Sequence, residues 1–273
     1  MVYVVTAVHN RIAITTRFVE SLKKQTYHGS IHFLMVDDGS TDGTDEKIKE
    51  LYPNTSVLYG DGNLFWGGAL QKAYEYLLEQ NLSEEDIIFY VNDDSRLDEN
   101  FLENAIELLN KHPNDLVTGC AYGIKTGYYL DGPVEFNLNN GKVTHLPAGA
   151  IGNCASTRAL LLKVPVFKDI GGFHPVLLPH YGSDYEYTIR AAKKGHRIIS
   201  DEKVRYTFSE DTTGDNSHKN ISLRKLMRKT SKLNPFYKMT FIIMIAPIHR
   251  IPNYVIYQIK HFMHHKRDEG TAV

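Results

Sequence analysis

The sequence predicts an α/β fold: a mainly parallel sheet with helices on both faces. Three observations carry this. Short apolar, largely β-branched runs recur through residues 2–91, and segments of helical periodicity alternate with them. The connections between them are only a few residues long. Units joined in this way build parallel strands covered on both sides by helices.

The elements follow in order. Residues 2–8 (VYVVTAV) form a continuous apolar run of the kind seen in strands buried on both faces. Ile12, Ile14, Phe18, Val19 and Leu22 give residues 12–25 a helical period. Residues 31–36 (IHFLMV) are a second strand ending at Asp37-Asp38-Gly39-Ser40, where Ser40 or Thr41 caps a helix reaching about residue 51. Residues 56–59 (SVLY) are a third strand. The stretch GDGNLFWGGA leads from it into a helix over 68–80. Residues 87–91 (IIFYV) are a fourth strand, running straight into Asn92-Asp93-Asp94.

The second half is less regular. It predicts a helix over 98–112, a strand over 115–122 and a hairpin around Asn139-Asn140-Gly141. Strand and helix character follow over 158–170, then a helix over 182–195 stopped by Gly195, and a short strand over 197–200. Residues 208–220 are polar and read as a loop. The expected organisation is an α/β unit over 1–222, with halves 1–95 and 96–222, then a basic, aromatic helical extension over 223–273.

Composition narrows the function classes. Hydrophobic residues at 42% and charged residues at 23% are ordinary for a globular chain. A net charge of -1 gives no overall basic field for a nucleic acid. Cys120 and Cys154 lack metal-type spacing and read as reduced core thiols, which points to a cytoplasmic setting. The N-terminus has no basic n-region and reads as a strand, not a signal peptide. The longest apolar run, residues 241–248, is too short to span a bilayer and contains Pro247.

Three of the four early strands end in polar, acidic or glycine-rich turns, at the sheet edge where α/β folds place ligands. Adjacent Asp93 and Asp94 behind a buried strand are costly unless a positive group offsets them. A divalent cation bridging a diphosphate would do so, and so would backbone N–H groups of a capped turn. Asp38 suits a nucleotide base or ribose, or the cap of the next helix. Arg11, behind His9 and Asn10, suits a diphosphate or a base, or plain solvation. Gly60-Asp61-Gly62-Asn63 and Trp66-Gly67-Gly68 resemble a backbone cradle opening a helix, where a phosphate is favoured. Trp66 suits stacking on a sugar or base, or core packing. Asp184 opens the helix after His180-Tyr181-Gly182-Ser183. There the helix dipole should depress its pKa and keep it ionised as a proton acceptor, or simply stabilise the helix.

Taken in order, VVTAVHNR, IHFLMVDDGSTDGT, GDGNLFWGGALQKAY, IIFYVNDDS and AIGNCASTRALLLKVPVFKDIGGFHPVLLPHYGSDYEYTIRAAKKGHRI resemble the family 2 inverting glycosyltransferases, among them bacterial polysaccharide and rhamnosyl-type enzymes. The resemblance runs over residues 1–206, about three quarters of the chain. It implies a GT-A fold, Rossmann-like, with a helical C-terminal extension. It implies a hexosyl or deoxyhexosyl donor linked to a nucleoside diphosphate, and a glycan or lipid-linked acceptor, as in cell-surface polysaccharide synthesis. Ala7, His9, Arg11, Asp38, Asn63, Trp66, Gly67 and Asp93 would line the nucleotide-sugar pocket. Asp94 would be the main ligand of Mn2+ or Mg2+, and Asp184 the base that deprotonates the acceptor, with His180 and Tyr181 near that acceptor. Two positions depart from the family pattern. The first residue of its DXD-type motif is Asn92, and a metal-binding histidine is replaced by Tyr206, with His218 the nearest later histidine.

Residues 223–267 interleave basic residues such as Arg224, Arg228 and Lys238 with Phe236, Phe241 and Tyr254. Such a segment lies on an anionic membrane surface, or packs on the domain or a second copy of the chain. Two other functions fit an acidic site on an α/β sheet. A sugar-phosphate nucleotidyltransferase would need a glycine-rich loop after the first strand, where AVHNR stands. An inactive carbohydrate-binding module would not need both Asp94 and Asp184.

Overall fold

The computed structural model describes residues 1–210 and 223–256. His218, and the part of the 223–267 segment beyond residue 256, lie outside the described residues.

The first half follows the predicted alternation. Strands β1 (Val2–Val8), β2 (Ile31–Asp37), β3 (Thr55–Tyr59) and β4 (Ile87–Val91) pair in parallel in the order β4-β1-β2-β3. Helices α1 (Ile12–Lys23), α2 (Thr44–Leu51) and α3 (Phe65–Leu78) connect the first four strands. Phe18, Val19 and Leu22 of α1 and Ile48 of α2 bury against Val4, Phe33, Phe89 and Val91 on one face. Ala69, Leu70, Ala73 and Leu77 of α3 bury against Val5, Leu34 and Tyr90 on the other. All seven residues of β1 and all five of β4 are buried or nearly so, which is why both runs are apolar throughout.

The second half adds β5 (Arg96–Leu97), α4 (Phe101–Lys111), β6 (Leu116–Thr118), β7 (Cys120–Gly123), β8 (Tyr129–Asp131), β9 (Val134–Phe136), β10 (Val143–His145), β11 (Ile151–Gly152) and β12 (Ala159–Lys163). It continues through α5 (Val164–Ile170), α6 (Ser183–Lys193), β13 (Ile198–Ile199) and β14 (Arg205–Phe208). The large sheet has the order β11-β13-β6-β12-β4-β1-β2-β3. β12 runs antiparallel between β4 and β6, so the unbroken parallel run is the first-half set β4-β1-β2-β3, while β6 and β13 pair in parallel beyond it. A smaller sheet has the order β5-β14-β7-β8.

Several expectations shift in detail. The strand expected over 115–122 splits at Gly119 and serves both sheets. A Cβ there would lie 3.0 Å from the rings of Phe101 and Tyr206, so the crossing needs a glycine. α2 begins at Thr44, behind Gly43 at φ 79°, and Asp42 accepts the Thr44 N–H at 3.2 Å. Ser40 and Thr41 do not cap it; both hydrogen-bond to Asn10 instead. β14 was not expected at all, because RYTF is short and its partners lie some 85 and 110 positions earlier, roughly, in β7 and β5.

The C-terminal extension packs on the domain. α7 (Leu223–Leu226) precedes α8 (Pro235–Ile245), which Asn234 caps by accepting the Phe236 N–H at 3.0 Å. Ile242 and Ile245 bury with Phe136, Cys154 and Ile189. Both cysteines are buried thiols. Among the described residues, no helix is long and apolar enough to cross a membrane.

Candidate active site

The loops after β1, β2 and β3 are tied into one rim. The Asp38 N–H donates to Val8 O at 2.9 Å, and His9 Nδ1 lies 2.6 Å from Asp38 O. Asn10, at φ 52°, takes the Thr41 N–H on its side-chain oxygen at 2.8 Å. Asp38 then uses both carboxylate oxygens on the third loop, accepting Gly62 N–H at 2.8 Å and Phe65 N–H at 3.0 Å. Asp38 therefore shapes the GDGN turn and does not cap α2. Ala7 sits beside Val36 in the strand register beneath this rim, and Asn63 is exposed on it.

Asp93 and Asp94 follow β4 in a turn and face two cations. Arg11 reaches Asp93 at 3.1 Å and Asp94 at 3.9 Å. Thr15 Oγ1 donates to Asp93 at 2.9 Å. Burial nevertheless pushes the Asp93 carboxyl up to about 6, against the pull of Arg11 and Thr15. Arg158 Nη1 donates to Asp94 Oδ1 at 3.3 Å, and its guanidinium lies 4.2 Å from the Phe208 ring centre. Arg158 arrives there because β12 pairs with β4: its carbonyl accepts the Asn92 N–H at 3.0 Å, one step beyond the Ala159–Val91 register pair.

Asp184 stands in the first turn of α6, behind Gly182 at φ 86°. The helix dipole does not decide its ionisation. Burial pushes its carboxyl up to about 6, although the Tyr185 N–H bonds to it at 2.9 Å; Asp131 pushes further up and Arg158 pulls down. The depressed value expected from the helix start is thus reversed. Arg158 is the group shared by Asp94, through a direct bond, and Asp184, through its field.

Two residues of this arrangement escaped the sequence reading. Arg158 lies within ASTRALLLK with no motif around it. Asp131, at the end of β8, accepts from Ser156 Oγ at 2.9 Å and lies 3.9 Å from His145 Nδ1. The signal for both was positional: each sits at a strand end on the ligand side, a pattern visible only once β8 and β12 are placed.

The segment GNLFWGG is corrected most. Gly67 does not open the backbone to a ligand: its N–H donates to Pro179 O at 2.9 Å, and a Cβ would lie 2.5 Å from Leu178 O. Trp66 donates through Nε1 to Thr157 Oγ1 at 2.9 Å, and its N–H meets His180 Nδ1 at 3.4 Å. The glycine lets α3 touch the loop that carries His180 and Tyr181, so the helix and that loop are locked together. Gly67→Ala is expected to cost about 1–3 kcal/mol by overpacking, read as a lowered Tm; an unchanged Tm would contradict this contact. Burial lowers the pKa of His180, and Lys232 adds to the effect, so both favour the neutral ring. Tyr181 is exposed, with Lys232 Nζ 5.5 Å from its ring centre.

The donor set here fits a hard divalent ion in an open site. Among the described residues, no three of His, Cys, Asp and Glu gather into a metal cage. Asp93 and Asp94 offer carboxylate oxygens beside a cavity of about 60 Å³, which is also lined by Ser95, whose buried hydroxyl has no partner among the described residues. An ion held by one or two carboxylates with phosphate and water oxygens matches that inventory. Tyr206, at the position of the family histidine, is buried against Phe101 and Phe208 and is not placed as a ligand.

Known proteins share this fold. Residues 3–169 match the family model of glycosyl transferase family 2; the match ends before α6, so Asp184 lies outside it. No curated protein matches the sequence. The structure is similar to the mannosyltransferase PcManGT of Pyrobaculum calidifontis, in complex with GDP-Man and Mn2+, at TM-score 0.58 and 18% identity over 78% of this chain and 58% of that one. It is similar to GalNAc-T7, solved with UDP, GalNAc and Mn2+, at TM-score 0.62 and 14% identity over 77% and 44%. S. aureus TarS aligns at TM-score 0.58 and 18% identity over 76% and 36%. This chain spans less than two thirds of each of these longer chains, and at such identities the likeness speaks for the GT-A fold alone. The family match, over more than half of the sequence and including the strand ends that carry Arg11, Asp38, Asp94 and Arg158, establishes that the chain belongs to glycosyl transferase family 2.

Proposed function

We propose that this enzyme transfers a sugar, with inversion, from a nucleoside diphosphate-sugar to a hydroxyl of a glycan or lipid-linked acceptor. The observation that carries the reading is the acidic pair Asp93 and Asp94 behind β4 with Arg11 and Arg158 against it, and the buried carboxyl of Asp184 from the other half of the chain within the field of the same Arg158. The nucleotide lies on the rim of His9, Asn10 and Asp38, with its diphosphate toward Arg11 and Asp94. Asn63, Trp66 and Gly67 frame the sugar side through the loop they hold. Asp184 takes the proton of the acceptor hydroxyl. The freed oxygen attacks the anomeric carbon from the face opposite the diphosphate, the bond from that carbon to the phosphate oxygen breaks, and the nucleoside diphosphate leaves. Arg11 and Arg158 place positive charge where the leaving group gains negative charge. A bound Mn2+ or Mg2+, held by Asp94 with Asp93 beside it, supplies further charge neutralisation there. The exposed Tyr181, next to His180, belongs to the acceptor side. The cytoplasm, where nucleotide-sugars are made, and a cell-surface polysaccharide or glycolipid as product complete the reading.

The raised carboxyl of Asp184 sets the pH dependence. A base must be unprotonated, and burial places its midpoint at about 6. The limb of kcat/KM against pH should rise about tenfold per pH unit below about 6 and level off above it. A flat profile from pH 5 to 8, roughly, would remove Asp184 as the base. Donor identity is tested by thermal shift with Mn2+ and a panel of UDP-, GDP- and dTDP-sugars. One nucleotide should raise the Tm, because binding to the native state stabilises it; no shift with any of them would contradict the nucleotide-sugar reading.

A further inference from the structure

α8 has the sequence PFYKMTFIIMI, which is apolar nearly all round. A helix on a domain surface ordinarily keeps a polar face toward water. α8 buries only one side, through Ile242 and Ile245. Its outward side carries Phe236, Met239 and Ile243 at 59%, 41% and 58% exposure, spaced three and four residues apart and so aligned in one stripe. Ile248, 85% exposed, follows just beyond the helix. An exposed apolar stripe of this kind marks a contact surface.

Charge selects what covers it. Residues 223–267 hold ten of the chain's 31 Lys and Arg and none of its 32 Asp and Glu. A second copy would bring two such cationic segments together, whereas an anionic surface would neutralise them. We propose that the outward stripe of α8, with Ile248 and the flanking basic residues, docks on an anionic lipid bilayer. The stripe inserts at the headgroup–acyl boundary and the cations meet lipid phosphates.

The position of α8 gives the docking a consequence. Phe241 packs against Gly182, 3.4 Å from where a Cβ would stand, two residues before Asp184. Tyr237 and Lys229 line a cleft of about 530 Å³ with Val176, Pro179 and Asn63. α8 thus borders both the start of α6, through Phe241, and, through Tyr237, a cleft that reaches Asn63. A lipid-linked acceptor would reach Asp184 without leaving the bilayer surface. This last step rests on the proposed transfer reaction; the docking does not.

Flotation of the full chain on vesicles tests the docking, independently of any activity. With vesicles of equal parts phosphatidylglycerol and phosphatidylcholine, the protein should float. With phosphatidylcholine alone, binding should be several-fold weaker. The variant Phe236→Ser/Met239→Ser/Ile243→Ser should bind the anionic vesicles at least about tenfold less, because three buried apolar groups are lost from the bilayer. Its Tm should be unchanged, since these side chains are exposed. The pair Phe236→Ser/Ile248→Ser, which leaves the middle of α8 intact, should show the same direction should the triple variant melt early. Three results would each overturn the proposal: protein that stays at the bottom of the gradient with anionic vesicles, flotation that neither variant reduces, or a dimer in sedimentation that these substitutions dissolve.

Discussion

Asp184→Asn is expected to lower kcat by about 10²–10⁴-fold, the usual contribution of a positioned general base, while leaving the fold at least as stable at pH 8. The amide keeps the shape of the carboxyl and cannot take a proton from the acceptor. The stability half follows from the sign of the pKa shift. Burial raises the folded value to about 6 from 3.8, so the folded chain holds this proton more tightly than the unfolded one. The stabilisation that protonation brings is complete below about 4 and is lost as pH rises through about 6. At pH 8 the native enzyme carries an ionised carboxylate in a half-buried place, and the amide removes it. A variant that is inactive because it unfolds would show a lower Tm, and one with full activity would take Asp184 out of the reaction.

Asp94→Ala should lower activity at least about a hundredfold, because the carboxylate that would hold the divalent ion at the leaving diphosphate is gone. The variant should also lose any rise in Tm that Mn2+ adds to nucleotide binding, a readout that does not require turnover. Asp94 differs here from its neighbour. Asp93 is tied to Arg11 at 3.1 Å and Thr15 at 2.9 Å and holds the rim together, whereas the direct bond of Asp94 is to Arg158, at 3.3 Å. Retained Mn2+ response in the alanine variant would move the ion to other ligands.

The parts of the fold legible in the sequence are those whose causes are local. The runs VYVVTAV and IIFYV are strands over Val2–Val8 and Ile87–Val91 because burial on both faces demands an unbroken apolar run. The turn after β9 is readable because Gly141 adopts φ 78°, which a side chain resists. What escaped depends on distant pairing. The antiparallel course of β12 and the very existence of β14 are set by partners in other elements, and nothing in ALLLK or RYTF encodes a direction. The site divides the same way. Asp94 and Asp184 stand out by their place at an element end, but Arg158 meets Asp94, 64 positions earlier, only because β12 and β4 pair side by side. Gly67 was legible as a close approach, and its partner was not: a glycine reports that something comes near, and here it is the Leu178 carbonyl. The pKa of Asp184 was misjudged because a helix start is visible in sequence and burial is not.

The most direct test of inverting transfer is the anomeric configuration of the first product, read by proton NMR during turnover of the nucleotide-sugar that raises the Tm. With an α-linked donor, attack opposite the diphosphate predicts a β-linked product from the earliest time points, with the nucleoside diphosphate released in equal amount. An α-linked first product would contradict single displacement by an acceptor hydroxyl deprotonated at Asp184.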